Sequence, residues 1–91
     1  METNTPIIDC KVCLMIMKLI SEKNEVLIKE LDGRMRANGI TTTWYHLRNH
    51  LELAGFVEIY QKGTIKKKKY VKMTEKGKNA LENTINKERK G

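Results

Sequence analysis

The fold of this chain is decided by residues 41–60, which read TTTWYHLRNHLELAGFVEIY. In the first part of the stretch, apolar residues such as Leu47 and Leu51 recur at the three- and four-residue spacing of an amphipathic helix. After Gly55, apolar and polar residues alternate, which is the period of a half-buried strand. The stretch therefore predicts a helix over residues 42–54 and a strand directly after it.

A second alternating stretch predicts that this strand belongs to a β-hairpin. Residues 68–73 read KKYVKM and follow a polar tip that contains Gly63. The predicted hairpin spans residues 56–73, and its expected inward residues are Val57, Ile59, Val71 and Met73. A thin apolar stripe in the remaining sequence predicts a last helix over residues 75–89, with Thr74 as its cap.

Two further helices are predicted before this region, over residues 6–21 and 28–37. Thr5-Pro6 is a typical helix start, and Asn38-Gly39 is a typical helix end. The first helix is apolar on nearly all sides, so it must be buried on nearly all sides. In so short a chain, we expect a second copy to supply the second cover. The residues assigned to this homodimer interface are Ile7, Cys10, Cys13, Leu14, Met17, Leu81 and Ile85.

The predicted order of elements is helix, short strand, helix, helix, hairpin, helix. A short turn between the second and third helices, with a hairpin directly after the third, is the arrangement of a winged helix-turn-helix. The expected fold is therefore α+β and mainly α, with a three-helix core, a hairpin wing and a C-terminal helix. A chain of 91 residues has room for one such domain, over residues 1–91.

The basic residues are concentrated in the last third of the chain. The 18 Lys and Arg against 11 Asp and Glu give a net charge of +7 and a pI near 9.5. Residues 1–61 hold seven basic and eight acidic side chains, whereas residues 62–91 hold 11 basic and three acidic ones. A near-neutral body with a basic appendage is typical of a protein that meets a phosphate backbone on one side. The alternative interpretation is a solubilising lysine-rich surface.

The sequence contains no catalytic or cofactor motif that we can identify. Ser21 is the only serine, and the six glycines form no phosphate-binding pattern. We therefore expect neither an enzyme nor a bound cofactor. No run of about 18 apolar residues predicts a membrane span, and the N-terminus lacks the basic start of a secretory signal. These observations predict a cytoplasmic binding module.

Two motifs resemble those of known DNA-binding regulators. Residues 41–57 have a threonine-rich helix start, two aromatic residues, a polar stretch and a final Gly-Phe-Val, and residues 70–78 read YVKMTEKGK. They are similar to the recognition helix and wing of the PadR and MarR groups of winged-helix regulators, and more closely to small winged-helix proteins of archaeal viruses such as the fuselloviruses. The resemblance implies a homodimeric transcription regulator, archaeal or archaeal viral. It would bind double-stranded DNA at the nucleoid, or in the host cytoplasm if viral.

Two other functions remain open from the sequence. A weakly specific architectural or DNA-coating protein would have the same charge distribution and would differ in its specificity ratio. A winged helix used as a protein-interaction module would favour a neutral or acidic third helix and hairpin. The net charge of +8 in residues 62–91 counts against the second of these.

The third predicted helix presents a polar face that suits a DNA major groove. The residues expected to contact DNA are Thr42, Thr43, Tyr45, His46, Arg48 and Asn49. Asparagine pairs with adenine and arginine with guanine, while threonine contacts phosphate or a thymine methyl group. The alternative is a solvated polar face, although such faces usually favour Glu and Lys. Trp44 is expected to anchor the helix in the core rather than to stack on a base.

The hairpin tip is the second predicted DNA contact. Its candidate residues are Lys62, Thr64, Lys66, Lys67, Lys68 and Lys69. Because strand side chains alternate, these lysines point to both faces of the hairpin, and no core can accept either set so near the tip. We expect them to follow the phosphate backbone or the minor groove. The same charges would also protect an exposed edge strand from aggregation.

Cys10 and Cys13 allow three interpretations. A zinc site needs four ligands, and the only other candidate pair is His46 with His50. Because His46 belongs to the predicted DNA face, no metal site is expected. An intersubunit disulfide through Cys10 or Cys13 would suit a hyperthermophilic source. The simplest interpretation is two small apolar residues in a buried helix.

Overall fold

The computed structural model of the protein describes residues 7–8 and 10–90. The elements in this part of the chain are α1 (Lys11–Ser21), β1 (Glu25–Leu27), α2 (Ile28–Ala37), α3 (Thr43–His46), a π-helical segment (Leu47–Glu52), β2 (Val57–Lys62), β3 (Lys68–Met73) and α4 (Glu75–Lys90). We call α3 and the π-helical segment together the third helix. The predicted class, α+β and mainly helical, is confirmed.

The first helix begins later than its sequence predicts. Cys10 has an extended backbone and is the N-cap of α1, and its sulfur accepts a hydrogen bond from the amide of Cys13 at 3.4 Å. Ile7 and Ile8 precede the helix, so the start predicted at residue 6 is wrong. The predicted cap at Thr5-Pro6 lies outside the described residues.

Helix α1 lies at the centre of the protein and is covered by other parts of the same chain. Its buried stripe consists of Cys13, Ile16, Met17 and Ile20, which follow the spacing of a helix face. The third helix, α2, β3 and α4 all pack against it. The cover that the sequence assigned to a second copy is therefore supplied largely by the protomer itself.

Three residues predicted for the dimer interface lie in the core of the protomer. Cys13 and Met17 are at most 2% exposed, and Leu81 of α4 is 7% exposed. The prediction is wrong for these three, because the periodicity of a helix does not reveal which later element will pack against it. The remaining members of the predicted interface, Ile7, Cys10, Leu14 and Ile85, are half-buried.

The strands form an antiparallel sheet with β3 at its centre and β1 and β2 on either side. Along the hairpin, Val57 pairs with Met73 and Ile59 with Val71, and these four residues, predicted to face inward, are buried or half-buried. On the other edge of β3, Val26 pairs with Val71. Because Val71 is fully buried between these neighbours, the base of the hairpin is fixed in the core while its tip projects from it.

The third helix, the hairpin and α4 meet at Thr74. The hydroxyl of Thr74 donates a hydrogen bond to the carbonyl oxygen of Gly55 at 2.6 Å and accepts one from the amide of Gly77 at 3.0 Å. The amide of Thr74 donates to the carbonyl oxygen of Phe56 at 3.0 Å. Thr74 is therefore the cap of α4, as predicted, and it also holds the end of the third helix.

Two glycines make this meeting point possible. Gly55 has a φ of +81°, and its amide and that of Phe56 donate to Glu52 and Leu51, which is the Schellman closure of a helix. The predicted helix end at Gly55 is therefore confirmed. A Cβ atom at Gly77 would overlap the carbonyl oxygen of Phe56. This close approach explains why the TEKG motif has a glycine at position 77.

The N-terminal segment is tied to the last helix by one buried threonine. The hydroxyl of Thr84, which is 5% exposed, accepts a hydrogen bond from the amide of Ile8 at 2.9 Å. The same hydroxyl donates to the carbonyl oxygen of Ala80 at 2.7 Å. Segments 76 residues apart are therefore joined directly.

The substitution Gly77→Ala tests the close approach at Thr74. Because the new methyl group would meet backbone rather than a flexible side chain, we expect it to lower the free energy of unfolding by at least about 2 kcal/mol. The matched control is Gly33→Ala in α2, where no atom lies within 4 Å of the added Cβ. This variant should gain about 0.5–1 kcal/mol. Urea unfolding followed by circular dichroism measures both, and equal effects would contradict the steric argument.

Candidate nucleic-acid interface

The third helix is held by two leucines and presents the rest of its surface outward. Leu47 is fully buried and Leu51 is 1% exposed, and they define the inward side of the helix. Four of the predicted contact residues are exposed: Thr42, Tyr45, Arg48 and Asn49. His46 is half-buried. The structure therefore brings five of the six predicted residues of this helix to its outer surface.

Thr43 is the sixth predicted contact residue, and its prediction is wrong. It is 1% exposed, and its hydroxyl has no hydrogen-bond partner among the described residues. Its neighbour Thr42 is the N-cap residue, although the Thr42 side chain makes no capping hydrogen bond. The helix therefore starts with Thr43, rather than Thr42, turned into the core, which the run of three threonines did not indicate.

A π-helical segment shapes the exposed face of the third helix. The rings of Tyr45 and His50 lie five residues apart in sequence, and their centroids are 5.6 Å apart. His46 completes the cluster, stacked on His50 at 5.1 Å and edge-on to Tyr45 at 5.3 Å. The wider π-helical turn brings residues five apart onto one side of the helix. The sequence did not predict this cluster, because an α-helix would separate Tyr45 from His50.

The polar side chains of this face already have partners within the helix. Arg48 forms an ion pair with Glu52 at 2.7 Å. The side-chain amide of Asn49 donates to the carbonyl oxygen of Tyr45 at 3.2 Å. The Nδ1 atom of His46 lies 2.8 Å from the carbonyl oxygen of Thr42. The charge of Arg48 is therefore partly neutralised by Glu52 in the free protein.

Trp44 lies at the surface, so the prediction that it anchors the helix in the core is wrong. Its side chain is 40% exposed. Two cations lie over the indole ring, the guanidinium of Arg48 at 5.3 Å and the ammonium of Lys69 at 4.9 Å from the ring centroid. Lys69 belongs to β3, so Trp44 connects the third helix with the hairpin.

The tip of the hairpin is basic and fully open to solvent. Thr64 and the four lysines at 66–69 are all exposed, as predicted. None of these lysines forms an ion pair with a described residue. Ile65, between them, is 93% exposed. The tip therefore offers uncompensated positive charge together with one apolar side chain.

Lys62 differs from the other lysines of the hairpin because it is paired. Its ammonium lies 2.7 Å from the carboxylate of Glu25 on β1 and 4.9 Å from the ring centroid of Tyr70. Hydrogen bonding to Lys62 lowers the pKa of Glu25, and the same bond raises the pKa of Lys62. Lys62 thus fastens the hairpin to β1, a partner that the sequence did not indicate because Glu25 lies 37 residues away.

Two tyrosines stiffen the hairpin below its tip. Tyr60 and Tyr70 are paired across the strands, and their rings stack with centroids 6.0 Å apart. Desolvation is the main cause that raises the pKa of Tyr60 to about 12, and a hydrogen bond to Glu25 is the second cause. The hydroxyl of Tyr60 therefore stays protonated at neutral pH and supports the Lys62–Glu25 pair as a donor.

The two cysteines form no disulfide with each other within the protomer. Burial is the main cause that raises the pKa of Cys13 to about 12. Cys13 is buried in the core, whereas Cys10 is half-buried, so an intersubunit disulfide through Cys10 stays a prediction. Among the described residues, no group of three or more His, Cys, Asp or Glu side chains could hold a metal ion.

Comparisons with family models and with curated proteins give no match. No protein-family model matches the sequence, and no curated protein matches it at a significant level. No helix in the described part of the chain has both the length and the apolar character needed to cross a bilayer.

The substitution Thr43→Val tests the inward placement of Thr43. Because its buried hydroxyl has no partner among the described residues, we expect its replacement by a methyl group to raise the free energy of unfolding by up to about 1 kcal/mol. Thr42→Val is the matched control at an exposed position, and its effect should stay within about 0.5 kcal/mol. Thermal and urea unfolding give both values. A large loss of stability in the Thr43 variant would show that the hydroxyl has a partner.

Proposed function

We propose that the protein is a winged helix-turn-helix transcription regulator that binds double-stranded DNA sequence-specifically, as a homodimer and in the cytoplasm. In this proposal the third helix is the recognition helix and the hairpin is the wing. The proposal requires no cofactor. It follows from the arrangement of a basic hairpin directly beside an outward-facing polar helix.

The lysines at 66–69 carry this proposal. They are exposed, and none is neutralised by a described acidic residue. Through the contact of Lys69 with Trp44, they lie next to the third helix rather than on a separate side of the protein. Lysines that only increase solubility could lie anywhere on the surface. A protein that places one helix in the major groove and a wing on the phosphates needs its basic wing next to that helix.

The two parts of the surface are expected to do different work. Tyr45 and Asn49 offer directional donors and acceptors at the exposed face of the third helix, so they suit contacts with base edges. The hairpin lysines are flexible point charges, so they suit phosphates of any sequence. Lys62 is expected to contribute less to this role than the lysines at 66–69, because Glu25 partly neutralises its charge.

The double variant Lys67→Ala/Lys68→Ala tests the role of the hairpin. We expect it to weaken binding to cognate and scrambled duplexes equally and to flatten the plot of log K against log salt by about 0.9 for each phosphate that the variant no longer neutralises. Asn49→Ala should instead cost about 1–3 kcal/mol on the cognate duplex and little on the scrambled one. The cognate sequence is obtained first by selection from a random DNA pool, and titrations at several salt concentrations give the affinities.

Each contrary result of these titrations has a distinct meaning. Equal affinity of the unaltered protein for both duplexes would favour an architectural or DNA-coating protein. Absence of duplex binding would favour a protein-interaction module. Loss of discrimination in the lysine variant, with only uniform weakening in the Asn49 variant, would reverse the two roles.

The homodimer is proposed on a smaller surface than the sequence indicated. Leu14 is half-buried and Met15 is 37% exposed, so α1 retains an apolar strip that the protomer does not cover. Ile7, Cys10 and Ile85 are the other half-buried members of the predicted interface. In such a dimer, two recognition helices would read an inverted repeat with half-sites about 10–10.5 base pairs apart, or a multiple of this distance.

The variants Met15→Glu and Met17→Glu separate dimerisation from folding. Met15→Glu places a charge on the exposed strip, so we expect a weaker dimer with an unchanged circular dichroism spectrum. Met17→Glu places a charge in the core, where Met17 is fully buried, so we expect an unfolded protomer. Sedimentation equilibrium measures the association. A monomeric unaltered protein at micromolar concentration would overturn the dimer.

A further inference from the structure

A groove lies between the hairpin, α2 and the start of the third helix. Its volume is about 840 Å³, within the range of roughly 300–1,000 Å³ that small-ligand sites occupy. Leu27 and Ile28 contribute apolar surface to it, and the indole of Trp44 forms part of its wall. The groove is therefore large enough for a nucleotide and carries an aromatic ring at its side.

The charge in this groove is strongly one-sided. Its lining includes Lys29, Arg36 and the four lysines at 66–69, whereas its only acidic residue is Asp32. The Asp32 carboxylate is already paired with Arg36 at 2.8 Å. Five ammonium groups therefore remain without an acidic partner among the described residues, and a ligand of the groove should carry several negative charges.

Trp44 indicates a second property that a ligand of the groove should have. It is the only tryptophan of the chain, and its ring is 40% exposed at the wall of the groove. Nucleobases stack on exposed aromatic rings with little dependence on base identity, and grooves that bind single strands combine such rings with positive charge. A planar ring joined to phosphates meets both requirements.

We propose that this groove binds an unpaired nucleotide of a nucleic-acid strand, with its base on Trp44 and its phosphates on Lys29 and the hairpin lysines. A base inside a duplex presents no free face to an indole, so the ligand is a single-stranded segment or the frayed end of a duplex. The ammonium of Lys69, which lies over the ring in the free protein, moves to a phosphate when the base takes its place. The inference rests on the proposed function in one respect. The lysines at 66–69 are assigned to the phosphates of a duplex and also line this groove.

Tryptophan fluorescence tests this inference directly, because all tryptophan emission comes from Trp44. The unaltered protein is titrated at constant ionic strength with a single strand of ten thymidines, a blunt duplex, thymidine monophosphate and polyglutamate. We expect the single strand to quench the emission strongly and the other three ligands to quench it weakly. Equal apparent affinity for thymidine monophosphate and the single strand would show that the groove does not bind a strand. Equal quenching by polyglutamate and the single strand would show that the groove attracts any polyanion and does not recognise a base.

Two variants then locate the site by polarisation of a labelled single strand. Trp44→Leu should lower the affinity for the single strand about 10-fold, and clearly more than it lowers the affinity for the blunt duplex. Lys29→Ala should weaken single-strand binding at least threefold more than Lys11→Ala, which removes a charge from an exposed helix start outside the groove.

The failures of this inference and of the proposed function are distinguishable. A protein that binds the blunt duplex, but whose emission does not respond to the single strand, would overturn only the inference. Quenching by the single strand without duplex binding would support the groove and overturn the duplex regulator. If Lys29→Ala and Lys11→Ala weakened single-strand binding equally, the groove would not be the site.

Discussion

The hydroxyl group of Thr74 is the contact on which the arrangement of the candidate interface depends. One oxygen atom joins the closing turn of the third helix to the first turn of α4, while the amide of the same residue is bound to Phe56 at the start of the hairpin. The position of the hairpin relative to the third helix is therefore set by one short side chain bound to backbone groups, rather than by long flexible side chains. The cation over Trp44 adds a further link nearer the tip. Such a base would suit the proposed binding of a duplex, whose geometry is fixed.

Much of the fold could be predicted because its signals are local. The change of period at Gly55, the inward residues of the hairpin and the cap at Thr74 depend on residues that lie close together in sequence or on one strand pattern. The predicted basic tip of the hairpin was also correct, because no core can form around it. The predicted start of α1 was wrong, since the sulfur of Cys10 caps the helix instead of the expected Thr5.

The errors concern residues whose surroundings come from distant parts of the chain. The apolar first helix indicated a dimer, but α4 and β3 supply much of the cover, so Met17 is internal. Trp44 was expected in the core and instead lies beside lysines that follow it by more than 20 residues. Thr43 was predicted wrongly, and the contact of Tyr45 with His50 was not predicted, for a different reason. A π-helical turn and an inward threonine alter which side chains share a face, and hydrophobic periodicity does not detect either change.

The hydrogen bond between Ile8 and Thr84 has a consequence for how the protein comes to be folded. The apolar stripe of α1 is synthesised before α4, which covers part of it. Until residue 84 has left the ribosome, this stripe remains partly open to solvent, and incomplete chains expose the apolar surface that favours aggregation. The cover of α1 is therefore complete only when Ile8 and α4, which are distant in sequence, have come together.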